Sequence, residues 1–126
     1  MHTVIETHSF RRAANDAGLT EDERLTITNL VAENPLLGEP IEGTGGARKF
    51  RMPAKGKGKS GGYRVITFYA ASDVPVFLLD LYVKGEKVNL SKAERNELKG
   101  ILGTVADEWR ASARAKIAAL ETKVKA

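Results

Sequence analysis

Apolar and polar positions change period several times along the chain, and each change marks an element. Residues 3–7 (TVIET) are rich in β-branched side chains and predict a short first strand. Ser9 then offers an N-cap for a helix over FRRAANDAG, which Gly18 closes. Thr20 and Glu23 have capping-box spacing, and Leu25, Ile27, Leu30 and Val31 give the second helix its apolar face before Asn34 and Pro35 stop it. Leu36, Leu37 and Ile41 lie in a Gly- and Pro-containing connection that runs through Gly43, Thr44, Gly45 and Gly46 to an alternating strand, residues 47–52.

Residues 63–69 (YRVITFY) and 76–83 (VFLLDLYV) have strong β propensity and, with a turn at Ala71, Ser72 and Asp73, predict a hairpin. Ser91 and Glu94 open a last helix in which Leu98, Ile101, Leu102, Val105 and Trp109 recur at helical spacing. The stripe continues through Ala113, Ile117, Leu120 and Val124. Gly100 and Gly103 each cost about 1 kcal/mol of helix propensity relative to Ala, so the end of the chain is expected to fray or dock elsewhere. Strand, two helices, three strands and a helix predict an α+β fold, a small antiparallel sheet with helices packed on one face.

Composition narrows this to one domain. The chain has 126 residues, 42% hydrophobic and 29% charged, which suits a single globular core. It contains no Cys, which removes disulfide scaffolds, thiol nucleophiles and zinc–thiolate sites. No apolar run approaches the ~20 residues that span a bilayer, and MHTVIETHSF lacks the apolar core of a secretion signal. No membrane partner is expected, and a cytoplasmic location is.

Charge is distributed unevenly. The net charge is +4, but no acid occurs between Glu42 and Asp73, where Arg48, Lys49, Arg51, Lys55, Lys57, Lys59 and Arg64 contribute seven positive charges. The rest of the chain holds 13 basic against 16 acidic residues, a net of −3. Positive charge gathered in one stretch of an otherwise mildly acidic chain is the footprint of polyphosphate binding. A solvated basic loop kept for solubility is the plainer reading.

Strand parity adds geometry. Leu79, Leu81 and Val83 fall on one face of their strand, and Asp80, Tyr82 and Lys84 on the other. Lys49 and Arg51 share a face, whereas Arg48 points with Phe50 and Met52. A favourable register therefore gathers Lys49, Arg51, Tyr82 and Lys84, although a wet outer sheet face has the same pattern. The run KGKGKSGG lacks the GxxxxGK[ST] spacing of a nucleotide-hydrolysing loop and lies between two strands. Its three lysines suit a backbone of phosphates better. His2 and His8 are the only histidines, and no DxD or HExxH spacing occurs, so neither a metal nor another cofactor is expected.

The stretch GTGGARKFRMPAKGKGKSGGYRVITFY, followed by LLDLYVKGEKVNLSKAE, resembles the HigB branch of the RelE/ParE superfamily of toxin–antitoxin toxins. The likeness covers most of residues 3–105, and its specific part is GTGG-x-RK-x-R, KGKGK-x-GG-x-R and Y-x-K-x-E in that order. It implies the order β-α-α-β-β-β-α already read, with a toxin domain over residues 1–110 and a C-terminal helical extension over 111–126. It further implies a metal-independent endoribonuclease that cuts mRNA in the ribosomal A site and so inhibits translation. The implied partners are mRNA on the ribosome, ribosomal RNA, and a cognate antitoxin that carries a DNA-binding helix-turn-helix.

By the same resemblance Arg64 matches the arginine that binds the scissile phosphate. Lys49 and Arg51 match a basic pair with phosphate-contacting and, for one of them, proton-transferring roles. Tyr82 and Lys84 match the Y-x-K at the end of the last strand, with Lys87 a further candidate. No Tyr follows Tyr82, which departs from relatives that use a later tyrosine. Arg64, Lys84, Tyr82 and Arg51 are thus the expected catalytic set, and Arg48, Lys49, Lys55, Lys57, Lys59 and Lys87 the expected RNA-binding set. Lys84, crowded by cations that depress its pKa, is the candidate proton shuttle. A ParE-like toxin acting on gyrase and a non-catalytic nucleic-acid-binding module are the alternatives.

Overall fold

The computed structural model describes residues 2–53, 62–83 and 90–125, with side chains to Thr122 in the last helix. The elements are β1 (Val4–Glu6), α1 (His8–Asp16), α2 (Glu21–Glu33), β2 (Glu39–Pro40), β3 (Ala47–Met52), β4 (Tyr63–Phe68), β5 (Val76–Val83) and α3 (Lys92–Lys125). The strands form one sheet in the order β1-β5-β4-β3-β2. All pairings are antiparallel except β1 with β5, which is parallel because α1 and α2 begin the route that returns the chain to the sheet's far side. The α+β class and the element order agree with the sequence reading, with the two-residue β2 added.

Local chemistry fixes the ends of the elements. Thr7, not Ser9, caps α1: its hydroxyl accepts from the Phe10 N–H at 3.2 Å and donates to the Leu78 carbonyl at 2.8 Å, so one side chain starts the helix and ties it to β5. The Thr20–Glu23 capping box forms, as does the Ser91–Glu94 box at the start of α3. Between β2 and β3 the buried Thr44 hydroxyl donates to the Ile41 carbonyl at 2.7 Å and accepts the Ala47 N–H at 3.0 Å. That turn closes the GTGG segment and sets where β3 begins.

The helices lie on both faces of the sheet, not on one. Phe10 and Ala14 of α1 and Ile27 and Val31 of α2 pack with Phe50, Met52, Val65 and Leu78. Leu98 and Leu102 of α3 pack with Ala47, Ile66, Phe68 and Phe77, whose side chains alternate with the first set along the strands. A sheet with both faces apolar needs two covers. A register shift opposite Ile66 and Thr67, where Ile66 pairs with Asp80 but Thr67 with Leu78, makes Leu79 the extra residue. It moves Leu79 to the α3 face, away from Leu81, against simple alternation.

α3 runs without interruption through Gly100 and Gly103 and, at 1.5 Å per residue, is about 51 Å long. Beyond Arg110 its described side chains are exposed, apart from half-buried Ala113. Arg110 anchors the helix to the β4–β5 turn through two hydrogen bonds to Asp73, at 2.7 and 2.8 Å, which hold the Asp73 carboxyl below its ordinary pKa. Among the described residues no helix is long and apolar enough to cross a membrane.

A Cβ at Gly100 or Gly103 meets nothing within 4 Å. Gly100→Ala and Gly103→Ala are each expected to raise stability by up to about 1 kcal/mol, read from urea or thermal unfolding. Gly38 is the opposite case, with φ of +95° and a Cβ position 2.2 Å from the Lys49 carbonyl oxygen. Gly38→Ala should lose more than about 1 kcal/mol, because β2 must back away from β3. The lowered Asp73 pKa gives a sign: its pairing with Arg110 contributes above the ordinary aspartate range and fades as pH falls through the lowered value. Asp73→Asn should therefore flatten the acid limb of the urea midpoint plotted against pH.

Candidate active site

The three central strands bring the chemistry into one row. Arg51 of β3 stands directly opposite Arg64 of β4, and Arg64 directly opposite Tyr82 of β5. Side chains opposed in this way share a face and have Cβ atoms about 4.5–5.5 Å apart. Two residues further along, Lys49, Ile66 and Asp80 form the next row on that face. Ile66 and Tyr82 pack into the cluster under α3, so the polar row emerges where the cover from α3 ends. Arg51 is exposed, Arg64 and Lys49 are half-buried, and Tyr82 is buried.

Two arginines directly opposed in an antiparallel pair repel each other and destabilise the sheet. An anion between them reverses the sign. Guanidinium groups stay charged and fork onto phosphate oxygens, which suits this row to a phosphodiester. Asp80 does not neutralise the pair: it lies in the next row, with Oδ1 accepting the Leu81 N–H at 2.8 Å. Tyr63, beside Arg64 in sequence, faces the opposite core, where burial and then the Glu23 charge push its phenol up and keep it protonated.

A cleft of about 270 Å³ adjoins the row. Lys49 and Tyr82 form its sheet wall, Glu39 and Glu42 its rim near β2, and Leu90 and Arg95 its wall at the start of α3. Arg95 was not visible as a site residue from sequence, because only the packing of the first turn of α3 brings it beside β3. The Ser91–Glu94 capping box fixed where that turn begins, and was the one signal available.

The remaining expected residues are placed differently. Arg48 is on the α1/α2 side of β3, and its Nη2 donates to the Gly38 carbonyl at 2.9 Å, bracing β2 against β3 apart from the row. Lys55, Lys57, Lys59, Lys84 and Lys87 lie outside the described residues. His2 stacks edge-on against Tyr69, and the His8 ring nitrogen Nε2 is 3.0 Å from Arg12 Nη2; neither lines the cleft. Among the described residues no group of three or more His, Cys, Asp or Glu side chains could hold a metal ion.

These strands and this face are those of a toxin fold. The chain belongs to the family of RelE toxins of RelE/RelB toxin–antitoxin systems, whose family model it matches over residues 2–125. Among solved structures it is similar to a mutant of the E. coli toxin RelE in the free state, with 18% identity and a TM-score of 0.47. That likeness covers 68% of this chain and 86% of the other.

The opposed arginines carry a stability cost that can be read directly. Arg64→Gln is expected to raise the stability of the free protein by roughly 0.2–1 kcal/mol at low ionic strength. The gain should shrink as salt screens the pair, which urea titrations at two salt concentrations will report.

Proposed function

We propose that this RelE-family toxin is a ribosome-dependent endoribonuclease of a type II toxin–antitoxin system, cutting mRNA in the ribosomal A site without a metal. The single observation that carries this reading is the row Arg51–Arg64–Tyr82, two fixed cations and a phenol on one sheet face. The order GTGG-x-RK-x-R, KGKGK-x-GG-x-R and Y-x-K-x-E supports the HigB branch within the family.

The chemistry follows from what such a row can supply. The 2′-OH of the nucleotide before the cut attacks the adjacent phosphorus, a base takes its proton, and an acid protonates the departing 5′-oxygen. The products are a 2′,3′-cyclic phosphate and a free 5′-hydroxyl. Arg64 and Arg51 stabilise the charge that builds on the phosphorane oxygens. Lys84, two residues after Tyr82, is the proposed proton shuttle, and Tyr82 orients the reacting groups. With no strong base in the free protein, alignment of the message by the ribosome supplies proximity and orientation.

Lys49, Lys55, Lys57, Lys59 and Lys87 extend phosphate contacts to mRNA and ribosomal RNA. Acting on translating ribosomes, the protein works in the cytoplasm. Its toxin domain is residues 1–110, with 111–126 a helical extension, and an antitoxin with a helix-turn-helix neutralises it.

Primer extension on a reporter mRNA translated in vitro tests the reading. Cuts are expected only on message that ribosomes are translating, and Arg64→Gln should reduce them roughly 10²-fold or more while the protein stays folded. Absence of cuts from folded wild-type protein would overturn the nuclease in favour of gyrase poisoning or simple binding.

A further inference from the structure

We infer that the cleft beside the arginine row is a nucleotide subsite, in which Lys49 and Arg95 hold the phosphate next to the scissile one and Glu39 and Glu42 select a base rich in hydrogen-bond donors. The inference rests on the nuclease reading for its substrate and goes beyond it in naming a specificity pocket and Arg95.

Position comes first. Lys49 lies two residues from Arg51 on the same face of β3, a step of about 6.7 Å along the strand. That step is comparable to the phosphate-to-phosphate spacing of an extended single strand, so a strand held at Arg51 and Arg64 brings its next phosphate to Lys49. Arg95 reaches the same cleft from α3, giving that phosphate a cation from each side.

The lining supplies the second argument. A site for phosphate alone gains nothing from carboxylates, which repel it. An apolar ligand has no use for two cations. A nucleotide uses both: its phosphate meets Lys49 and Arg95, its base lies against buried Leu90 and half-buried Ile41, and its polar edge faces Glu39 and Glu42.

A carboxylate only accepts hydrogen bonds, so the base must donate. Guanine offers N1–H and its 2-amino group side by side, a match for both oxygens of one carboxylate. Cytosine and adenine offer one amino group each. Uracil presents two carbonyl oxygens around a single N–H and is disfavoured. The cleft therefore prefers guanine, accepts cytosine and adenine, and rejects uracil at a position flanking the cut.

The test has two arms. In the first, cut sites are mapped on translated reporters that carry each base in turn at the two positions flanking the cleavage point. Wild type should favour guanine over uracil by about fivefold or more at one of them. Glu39→Gln combined with Glu42→Gln should level that preference, and Arg95→Ala should slow cutting about tenfold, with partial rescue in Arg95→Lys. In the second, fluorescence anisotropy measures binding of labelled single-stranded tetranucleotides, guanine- or uracil-containing, to wild type and to the Glu39→Gln/Glu42→Gln protein without ribosomes.

Cuts whose base distribution is unchanged in the double variant overturn the pocket and leave the nuclease standing. Guanine-selective binding that the double variant loses, with no cutting by wild type, supports the pocket and overturns the nuclease. Equal binding of both oligonucleotides together with unselective cutting overturns the pocket.

Discussion

A slip of β3 by one residue against β4 would send Lys49 and Arg51 into the aliphatic core under α1 and α2 and bring Phe50 and Met52 to the surface. The buried hydroxyl of Thr44 helps prevent it, since it holds the first amide of β3 and the Ile41 carbonyl together at the mouth of the strand. On the same side, the Arg48 guanidinium grips the Gly38 carbonyl, and Gly38 lets β2 approach as no other residue could. Everything on the polar face depends on this register. The arginine row, the lysine one step along it and the cleft at its side all exist because one threonine hydroxyl is satisfied twice.

Cover on both faces decides where chemistry can occur. The α1/α2 face is filled by apolar side chains, which leaves no room for a charged substrate. On the other face, the Ser91–Glu94 box starts α3 just short of the arginine row, and the Arg110–Asp73 contact anchors the helix near the far end of the sheet. The uncovered strip between these limits carries the cations. Like charges set opposite one another there store unfavourable energy in the free protein, and a bound anion releases it.

Much of this was legible in the chain. Residues 47–52 and 76–83 are strands with the bounds that alternation and β propensity predicted, and both capping boxes formed. The shared face of Lys49 and Arg51, and the opposite direction of Arg48, followed from parity alone. The rest required information that parity does not hold. The apolar stripe of α3 shows that the helix is covered on one side, but not which face of the sheet covers it. An extra residue at Leu79 breaks alternation without any Gly to announce it. Thr7 outcompeted Ser9 as the cap because its hydroxyl also reaches β5, a contact 71 residues away in sequence. Arg95 joined the cleft through tertiary packing, and Lys84, Lys87 and the lysines of KGKGKSGG lie outside the described residues.

The sheet's two margins have a consequence of their own. β1 contributes three residues and β2 only two, one of them Pro40, which has no amide hydrogen to offer. Long flat margins invite other chains to pair by strand addition, the first step of polymerisation and amyloid growth. Here the long strands β3, β4 and β5 are all interior. A protein that must carry a dense field of positive charge on an open β surface is thereby kept from joining copies of itself into a continuous sheet.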